Sequence, residues 1–352
     1  MARPPAPILS STVRKALSGP IAALAAGGLA VAACGHGPQS TGAATSVAVP
    51  PSRPPPPIFP KSLFWEGGVQ DWPVDQGSAG YVADLEQDFE EHYGAVGVNT
   101  MPIYTVPAGQ PEVPLSVRPG CGDFLASTGS EIPVPPYAAL NGSSDNPLVI
   151  YQPSTGRDWE LWQAARLPSG GYQACWGGRL KVATSSGVFP APYGLSATGI
   201  SYLATAVTQA ELASGEIDHT LALEVPSCTG SVYPADRDDC QATSGQPPEG
   251  EWFRLPAGLR VPSGLSPFAR MVFVALQRYG AVVTDQAGGV MIQAEQASDW
   301  YAEGHEGPSP MVAAWGGLPE FKVIAPLPWQ DLQAVRPPEA TASAATSQSL
   351  PR

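Results

Sequence analysis

Short runs of alternating apolar and polar residues, separated by turn residues, make up most of this sequence after residue 95. The clearest example is a predicted β-hairpin, in which strands at residues 148–151 and 158–163 flank the turn Pro153-Ser-Thr-Gly156. Proline (41 residues) and glycine (38 residues) recur so often along the 352 residues that few long helices can form. The pattern predicts a mainly β fold, and we expect a jelly-roll-like β-sandwich with two or three short helices.

Other segments extend the strand prediction. Residues 172–176 and 217–225 alternate as strands do, and residues 282–284 and 290–293 predict a second hairpin. Its connection, Asp285-Gln-Ala-Gly-Gly289, begins with an aspartate, which is an ordinary turn former. Asp285 is therefore a weaker candidate for a functional site than the residues discussed below.

Three segments have the apolar spacing and the end signals of helices. Residues 79–93 place their apolar side chains on one stripe. Thr208 and Glu211 have the spacing of a capping box. Residues 266–280 begin with a Ser-Pro pair, continue with an apolar face and end at glycine. We expect these three helices to pack against a sheet through their apolar faces.

The N-terminal region has the parts of a bacterial lipoprotein signal. Three basic residues and no acidic ones occur in the first 15 positions, and an apolar run follows at residues 16–33. Val31-Ala32-Ala33-Cys34 resembles a lipobox, so we predict that residues 1–33 are a signal peptide and that Cys34 is lipidated. The alternative, an uncleaved membrane anchor, fits less well because glycines and a proline interrupt a run of marginal length.

The remaining chain divides into three parts. Residues 34–57 are predicted to form a lipidated tether, whose proline-rich end favours an extended conformation at ~3.1 Å per residue. Residues 58–336 form the predicted β-sandwich domain, and residues 337–352, rich in Ala, Ser and Thr, are expected to be disordered. We therefore predict an exported protein, anchored to the cell membrane by its lipid, with the domain facing outward.

The charge balance limits the class of ligand. Acidic residues (31) outnumber basic residues (18), and removal of the signal peptide would take away three basic residues and no acidic ones, which leaves a net charge near −16. Such acidity disfavours nucleic acid and anionic headgroups as partners. Neutral polysaccharides, cations and proteins remain as candidate ligands, and no oligomeric state is predicted.

Four cysteines besides Cys34 form an even set, which predicts disulfides in an exported chain. Cys121, Cys175, Cys228 and Cys240 allow three pairings. We favour Cys228–Cys240, because the short segment between them resembles a closed surface loop, and Cys121–Cys175 would then follow. A thiolate metal site is not predicted, since the C-x-x-C spacing is missing.

No motif identifies an enzyme class, because the sequence contains no G-x-S-x-G, P-loop, G-x-G-x-x-G or H-E-x-x-H motif. The most suggestive segment is the strand at residues 158–163, whose alternation places Glu160 and Trp162 on one face. An exposed indole beside a carboxylate is typical of a sugar site, in which the ring stacks on the sugar and the acid addresses the glycosidic oxygen. The competing interpretation is a solvated strand face with one half-covered tryptophan.

The strand at residues 217–225 adds two candidates. His219 lies on an apolar stripe, where it is either a hydrogen-bonded core residue or an orienting group at the rim of a groove. Asp218 points to the opposite face and would pair with Glu160 if the two strands share a sheet face. Retaining hydrolysis requires carboxyl groups ~5 Å apart and inverting hydrolysis ~6.5–9.5 Å. Trp176 is the second candidate stacking residue.

No cofactor and no metal are predicted. Acidic residues at positions 236–239 lie between Cys228 and Cys240. Calcium binding there is conceivable, but the spacing of an EF-hand is missing, and a solvated turn is the expected structure.

The order of several short segments resembles a group of exported β-rich proteins from high-GC bacteria, which have no established activity. The likeness extends over residues 95–330, and its segments are Trp159-Glu-Leu-Trp162, Ile217-Asp-His-Thr-Leu221, Val232-Tyr-Pro-Ala235, Phe253-Arg-Leu255, Ser266-Pro-Phe268 and Leu276-Gln-Arg-Tyr-Gly280. The group often has a histidine near the position of Arg237, and this chain departs from it there. The resemblance singles out Glu160, Asp218 and His219 and implies no particular reaction.

Two functional hypotheses follow. The first is glycan handling at the cell surface, with glycoside hydrolysis as the reaction if the protein is an enzyme. In that case Glu160 would be the acid/base or nucleophile, Asp218 its partner, His219 an orienting group, and Trp162 and Trp176 stacking platforms. The second is a non-catalytic carbohydrate-binding or envelope-structural lipoprotein, in which the acids are solvating charges.

Overall fold

The computed structural model describes residues 58–59, 67–91, 96–242, 244–302 and 305–338. The predicted signal peptide, the lipobox with Cys34, the tether at 34–57 and most of the predicted tail lie outside these described residues. Within them, no helix has the length and apolar character that crossing a membrane requires.

The described chain is mainly β, as predicted. Its strands are β1 (Val96–Met101), β2 (Ile103–Thr105), β3 (Val113–Val117), β4 (Glu131–Ile132), β5 (Leu148–Gln152), β6 (Arg157–Trp162), β7 (Ala165–Arg166), β8 (Tyr172–Ala174), β9 (Trp176–Lys181), β10 (Leu221–Val225), β11 (Trp252–Arg254), β12 (Ala281–Gln286), β13 (Val290–Glu295) and β14 (Gln333–Val335). Its α-helices are α1 (Ser78–Glu91), α2 (Leu125–Thr128), α3 (Gln209–Ser214), α4 (Pro267–Arg278), α5 (Ser298–Ala302) and α6 (Pro310–Ala314). The three predicted helices correspond to α1, α3 and α4, and three shorter ones add to them.

The strands form three mixed sheets with the orders β1-β13-β10-β12-β11-β14, β2-β5-β6-β9 and β4-β3-β8-β7. The pairs β1–β13, β10–β12, β2–β5 and β3–β8 are parallel. A jelly roll is built from antiparallel strands, so the predicted jelly-roll topology is not confirmed. The parallel pairs arise because strands distant in sequence meet, which local alternation does not reveal.

The two four-stranded sheets share one apolar core and make up the sandwich-like part of the molecule. Buried side chains from both sheets meet there, including Tyr104, Leu115, Ile132, Trp159 and Tyr172. The predicted hairpin is confirmed as β5 and β6, which pair antiparallel from Leu148–Leu161 to Gln152–Arg157.

The six-stranded sheet has a second core on the face that α4 covers. Ser266 Oγ accepts a hydrogen bond from Ala269 N at the start of this helix, and Pro267 occupies the first turn. Its apolar face, with Phe268 and Val272, packs against sheet residues such as Leu223. Residues 195–207, which are irregular up to the start of α3, contribute to a third buried cluster that contains residues of both β5 and β10.

The second predicted hairpin is wrong. β12 and β13 are not neighbours, because β10 lies between them, parallel to β12 and antiparallel to β13. The turn-forming residues 285–289 therefore connect two strands across a third. All five residues of β10 are buried, so this strand gains more by insertion into the sheet than it would at an edge.

Both favoured disulfides are confirmed. Cys121 is bonded to Cys175, and Cys228 is bonded to Cys240. These bonds are consistent with an extracellular location, since disulfides persist in oxidising compartments.

Candidate functional site

A cleft of about 650 Å³ opens where the six-stranded sheet meets the sheet that contains β6 and β9. Its walls include Met101 from β1, Trp162 from β6, Trp176 from β9, Glu224 from β10 and Asp285 from β12. A concave site between sheets is where small ligands are commonly bound. We therefore take this cleft as the candidate site.

One wall of the cleft is aromatic. Trp162 and Trp176 are paired residues across β6 and β9, and both are half-buried. Trp162 Nε1 donates to Asp145 Oδ1 at 3.1 Å, and Trp176 Nε1 donates to the carbonyl of Pro192 at 2.8 Å. Because these hydrogen bonds hold the indole rings, the rings present fixed surfaces to the cleft. Both predicted stacking residues therefore line it.

The position of Trp176 depends on its surroundings. Its ring stacks on that of Tyr193, with the ring centroids 5.9 Å apart. A Cβ atom at Gly122 would lie 2.6 Å from the Trp176 ring, so a side chain there would displace it. Gly122 follows Cys121, whose disulfide partner Cys175 precedes Trp176. The disulfide thus holds the segment at Gly122 against the indole.

The six-stranded sheet contributes two carboxyl groups to the cleft. Glu224 of β10 lies opposite Asp285 of β12, and the register of the two strands shifts between Leu223 and Glu224. Such a bulge changes the direction in which a side chain points. Tyr202 Oη lies 3.2 Å from Glu224 Oε1 and 3.2 Å from Asp285 Oδ2, and Gln293 Nε2 also donates to Glu224 Oε1. A hydroxyl has one hydrogen, so Tyr202 donates to one carboxyl group at a time.

Burial and mutual repulsion perturb these groups. Burial, followed by the charge of Glu224, raises the pKa of Asp285 to about 8. Burial, followed by the charges of Asp285 and Glu224, raises the pKa of the Tyr202 hydroxyl well above its ordinary value. The Tyr202 hydroxyl therefore remains a hydrogen-bond donor at neutral pH.

The cleft is acidic overall. Four of its lining residues are acids, and Arg237 is the basic residue among them. The guanidinium of Arg237 donates to Asp236 Oδ1 at 3.1 Å and to the carbonyl of Ser196 at 3.0 Å. Since protein acceptors already engage this cation, the cleft favours neutral or positively charged ligands over anions.

Glu160, the leading catalytic candidate, does not line the cleft. Glu160 and Asp158 are both fully buried, which contradicts the expectation of an exposed acidic face on β6. Ser201 Oγ lies 3.0 Å from Asp158 Oδ2 and 2.9 Å from Glu160 Oε1, and Leu203 N donates to Glu160 Oε1 at 3.0 Å. The irregular segment that carries Ser201 and Leu203 covers this face of β6.

The buried pair titrates abnormally. Burial raises the pKa of Asp158 well above its ordinary value, and the neighbouring charge of Glu160 adds to this. Burial also raises the pKa of Glu160, to about 7, although hydrogen bonds from Leu203 and Ser201 favour its charged form. At least one of the two carboxyl groups therefore holds a proton near neutral pH.

Asp218 and His219 also lie outside the residues that line the cleft. The carboxyl group that interacts with Glu160 belongs to Asp158 of the same strand, and the structure does not support the expected pairing with Asp218. Residues 217–220 precede β10, whose first residue is Leu221, so the predicted strand is shorter than expected.

The two ring nitrogens of His219 contact other protein groups, as is typical of a structural histidine. Its Nε2 lies 2.8 Å from Glu211 Oε1 of α3, and its Nδ1 lies 2.7 Å from the carbonyl of Thr220. Although burial alone would raise the pKa of Glu211, the charge of His219 and hydrogen bonds from His219 and Thr208 hold it below the ordinary value. The same Glu211 completes the predicted capping box with Thr208. The contacts of His219 join α3 to the start of β10.

Three residues of the cleft were not identified from the sequence. Glu224 lies on the polar face of the predicted strand at 217–225, but nothing local indicated a bulge there. Tyr202 belongs to an irregular segment, and Gln293 lies in a strand whose neighbour was misassigned. A polar residue within a strand that is otherwise apolar was the available signal for Glu224 and for Gln293.

Two groups of described residues have the composition of a metal site: Cys228 with Cys240 and Glu249, and Asp239 with Glu249 and Asp285. The cysteines of the first group are joined in a disulfide and offer no thiolate ligand. The second group consists of carboxylates alone, which suit hard cations.

The chain has no significant match to any family model, to any curated protein or to any solved structure. The resemblance to exported β-rich proteins therefore remains a prediction from the sequence.

Proposed function

We propose that the cleft binds a glycan. The observation that carries this proposal is that two half-buried, hydrogen-bonded tryptophans, Trp162 and Trp176, line the same cavity as Glu224 and Asp285. Sugar rings present apolar C–H faces that stack on indoles and hydroxyl groups that hydrogen-bond to carboxylates. Both kinds of partner are present within one cleft of suitable size.

The charge of the cleft supports a neutral ligand. Four acidic lining residues oppose phosphate, sulfate and uronic-acid groups. Amide groups from Asn141 and Gln293 add donors that can bind hydroxyl oxygens. A neutral polysaccharide or oligosaccharide fits this lining better than an anionic one.

Glycoside hydrolysis is the second candidate, and one observation favours it. Glu224 and Asp285 both lie within hydrogen-bonding distance of the same Tyr202 hydroxyl. Most glycosidases use two carboxyl groups, and retaining enzymes hold them ~5 Å apart. Binding ranks first because Glu224 is already engaged by both Tyr202 and Gln293.

We also propose that the protein is exported and anchored through a lipid on Cys34. The lipobox pattern supports the anchor, and the two disulfides support an oxidising compartment. A Cys34→Ser variant should therefore leave the membrane fraction, while the wild type stays in it. Retention of the variant in the membrane would overturn the anchor.

The glycan proposal is tested with the full-length protein in a detergent without a sugar headgroup. A panel of neutral polysaccharides and their oligosaccharides is screened for binding and for released reducing ends. We expect Trp162→Ala and Trp176→Ala each to weaken binding about tenfold, which is ~1.4 kcal/mol. Phe321→Ala is the matched control, because Phe321 is 49% exposed and lies outside the cleft lining.

The outcomes separate the candidates. Binding that needs both tryptophans, without product, establishes a binding protein. Product that disappears in Glu224→Gln, while binding persists, establishes a hydrolase. Absence of binding across the neutral panel, or equal losses in the tryptophan variants and in Phe321→Ala, would refute the glycan proposal.

A further inference from the structure

Three carboxyl groups from three separate segments meet beside the cleft. One carboxylate oxygen from each of Asp239, Glu249 and Asp285 lies within 4.8 Å of the other two. Asp239 is exposed and precedes Cys240 in the disulfide-closed loop, Asp285 is half-buried on β12, and Glu249 is buried behind them. Asp239 and Asp285 also line the cleft, so the cluster opens toward solvent on that side.

Glu249 provides a second, independent indication of a ligand. Its side chain is 0% exposed, and its Oε2 receives no hydrogen bond from the described residues. Burial, followed by the charges of Asp239 and Asp285, raises the pKa of Glu249 to about 10, so without a cation this carboxyl group holds a proton and is hydrogen-bonded to Asp239. The charged form of a fully buried carboxyl group is unfavourable beside other acids. A bound cation would stabilise that charged form.

The backbone holds Glu249 firmly in this position. Val232 N donates to the carbonyl of Glu249 at 2.8 Å, and Glu249 N donates to the carbonyl of Gly230 at 2.9 Å. On the other side, Gly250 N donates to the carbonyl of Val283 at 2.8 Å. A Cβ atom at Gly250 would lie 1.9 Å from the carbonyl oxygen of Val232, so only glycine fits between the loop and β12.

The other two carboxyl groups are oriented by hydrogen bonds from neutral donors. Asp285 accepts hydrogen bonds from Ala197 N at 3.0 Å and from Gln286 N at 2.9 Å, in addition to its contact with Tyr202. Asp239 Oδ1 accepts from Gln286 Nε2 at 2.8 Å. The Oδ1 atom of Asp285 and the Oδ1 atom of Asp239 each accept one of these hydrogen bonds, which leaves a further lone pair on each for a cation. The nearby cation Arg237 directs its donors to Asp236 and to the carbonyl of Ser196.

We propose that Asp239, Glu249 and Asp285 bind a divalent, oxygen-preferring cation of the Ca²⁺ class, which fastens the disulfide loop to β12 at the wall of the cleft. An all-carboxylate ligand set with solvent on one side suits calcium, which accepts flexible oxygen coordination and water. Zinc and copper prefer imidazole or thiolate, and the two cysteines near Glu249 are oxidised. The site differs from the solvated turn expected at residues 236–239, because two of its three ligands lie outside that turn.

The test uses the full-length protein, stripped with a chelator and titrated with Ca²⁺ in the absence of glycan, by calorimetry and by thermal denaturation. We expect one site per chain and a rise in melting temperature. Asp239→Asn should weaken Ca²⁺ binding at least tenfold. Asp238→Asn is the matched control, because it removes the same charge one residue earlier, where the side chain accepts from Ser231 Oγ at 2.9 Å. It should leave the affinity within about twofold.

Glu249→Gln separates loss of the site from loss of the fold. Without calcium this variant should melt at or above the wild-type temperature, because a buried acid becomes a neutral amide of the same shape. With calcium it should show no rise in melting temperature. A calcium-induced rise in melting temperature equal to that of the wild type would show that Glu249 is not a ligand, and this would overturn the site.

Other outcomes also decide the proposal. Equal losses of affinity in Asp238→Asn and Asp239→Asn would indicate diffuse counterion attraction and overturn it. No binding of Ca²⁺ or Mg²⁺ at millimolar concentration would do the same, as would tight Zn²⁺ binding without a response to Ca²⁺. Failure of glycan binding leaves this result untouched, because the titration contains no glycan and Trp162→Ala should still bind calcium.

Discussion

Ser201 and Tyr202 are consecutive residues, and each places its hydroxyl between two carboxyl groups. The Ser201 hydroxyl contacts Asp158 and Glu160, which are buried beneath the irregular segment at residues 195–207. Tyr202 serves the second pair, which faces the cleft. Both residues lie at the start of the turn at residues 201–206, so one short stretch of chain supplies a donor to each pair.

The two pairs share their chemistry and differ in access. Both combine two carboxyl groups with one hydroxyl, and burial is the largest cause of the raised pKa in each pair. Glu224, which is 3% exposed, and Asp285 line the cleft, whereas Asp158 and Glu160 are 0% exposed and do not line it. A paired-carboxylate motif therefore indicates function only when the surface it faces is known. The sealed pair affects stability, and the open pair is available for binding.

The largest expected effect concerns pH and the sealed pair. The folded state raises the pKa of Glu160 from 4.5 to about 7, so the folded protein holds a proton that the unfolded chain releases. The raised pKa stabilises the folded state by about 3 kcal/mol. This stabilisation is complete below pH 4.5 and is lost as the pH rises through about 7. Glu160→Gln should remove this share of the pH dependence, measured as the free energy of unfolding in urea at pH 5 and pH 8.

The control for that measurement is Glu131→Gln, because Glu131 is exposed on β4. Its unfolding free energies should parallel those of the wild type at both pH values. If the unfolding free energies of Glu160→Gln also parallel those of the wild type, Glu160 is ionised in the folded protein. Burial would then not separate the protonation of the two carboxyl pairs.

A smaller difference is expected between the two hydroxyls. Ser201→Ala should lower the free energy of unfolding by ~2 kcal/mol, because two buried acceptors lose their donor and water cannot replace it. Tyr202→Phe should cost ~1 kcal/mol, since water in the cleft can hydrate Glu224 and Asp285. Urea denaturation of both variants at pH 7 provides the comparison. Equal losses of unfolding free energy in the two variants would mean that water has no better access to Glu224 and Asp285 than to Asp158 and Glu160.

The third effect is on ligand affinity instead of stability, and it reverses the order of the two pairs. Glu224→Gln should weaken binding of the glycan found in the panel about tenfold, or ~1.4 kcal/mol, because a charged acceptor for sugar hydroxyls becomes neutral. Glu160→Gln should leave the affinity unchanged. Calorimetric titration of both variants measures the difference, and a loss in Glu160→Gln alone would place the functional pair in the interior.

Local signals predicted much of the secondary structure correctly. The cap at Ser266, the capping box of Thr208 and Glu211, and the β5–β6 hairpin depend on residues close in sequence, and the structure confirms all three. Trp162 was identified because alternation placed its indole beside the Glu160 carboxylate, and both predicted tryptophans line the cleft.

Local sequence patterns gave wrong predictions for the exposure of Glu160 and for the second hairpin. Alternation assigned Glu160 correctly to the face opposite Trp159, but residues 201–205, about 40 positions away, cover that face. The turn at 285–289 was recognised, yet β10 entered between the two strands it connects. Both errors come from segments far along the chain that pack where solvent or a neighbouring strand was expected.

Helix ends, one hairpin and the Cys228–Cys240 pairing were thus set by residues close in sequence. Which carboxyl groups are sealed, and which meet in a cleft, depended on the insertion of β10, on the bulge at Thr284 of β12 and on the path of residues 195–207. The reason is physical: a strand's two faces follow from its alternation of side chains, whereas the partner that covers each face is chosen by the packing energy of the whole domain.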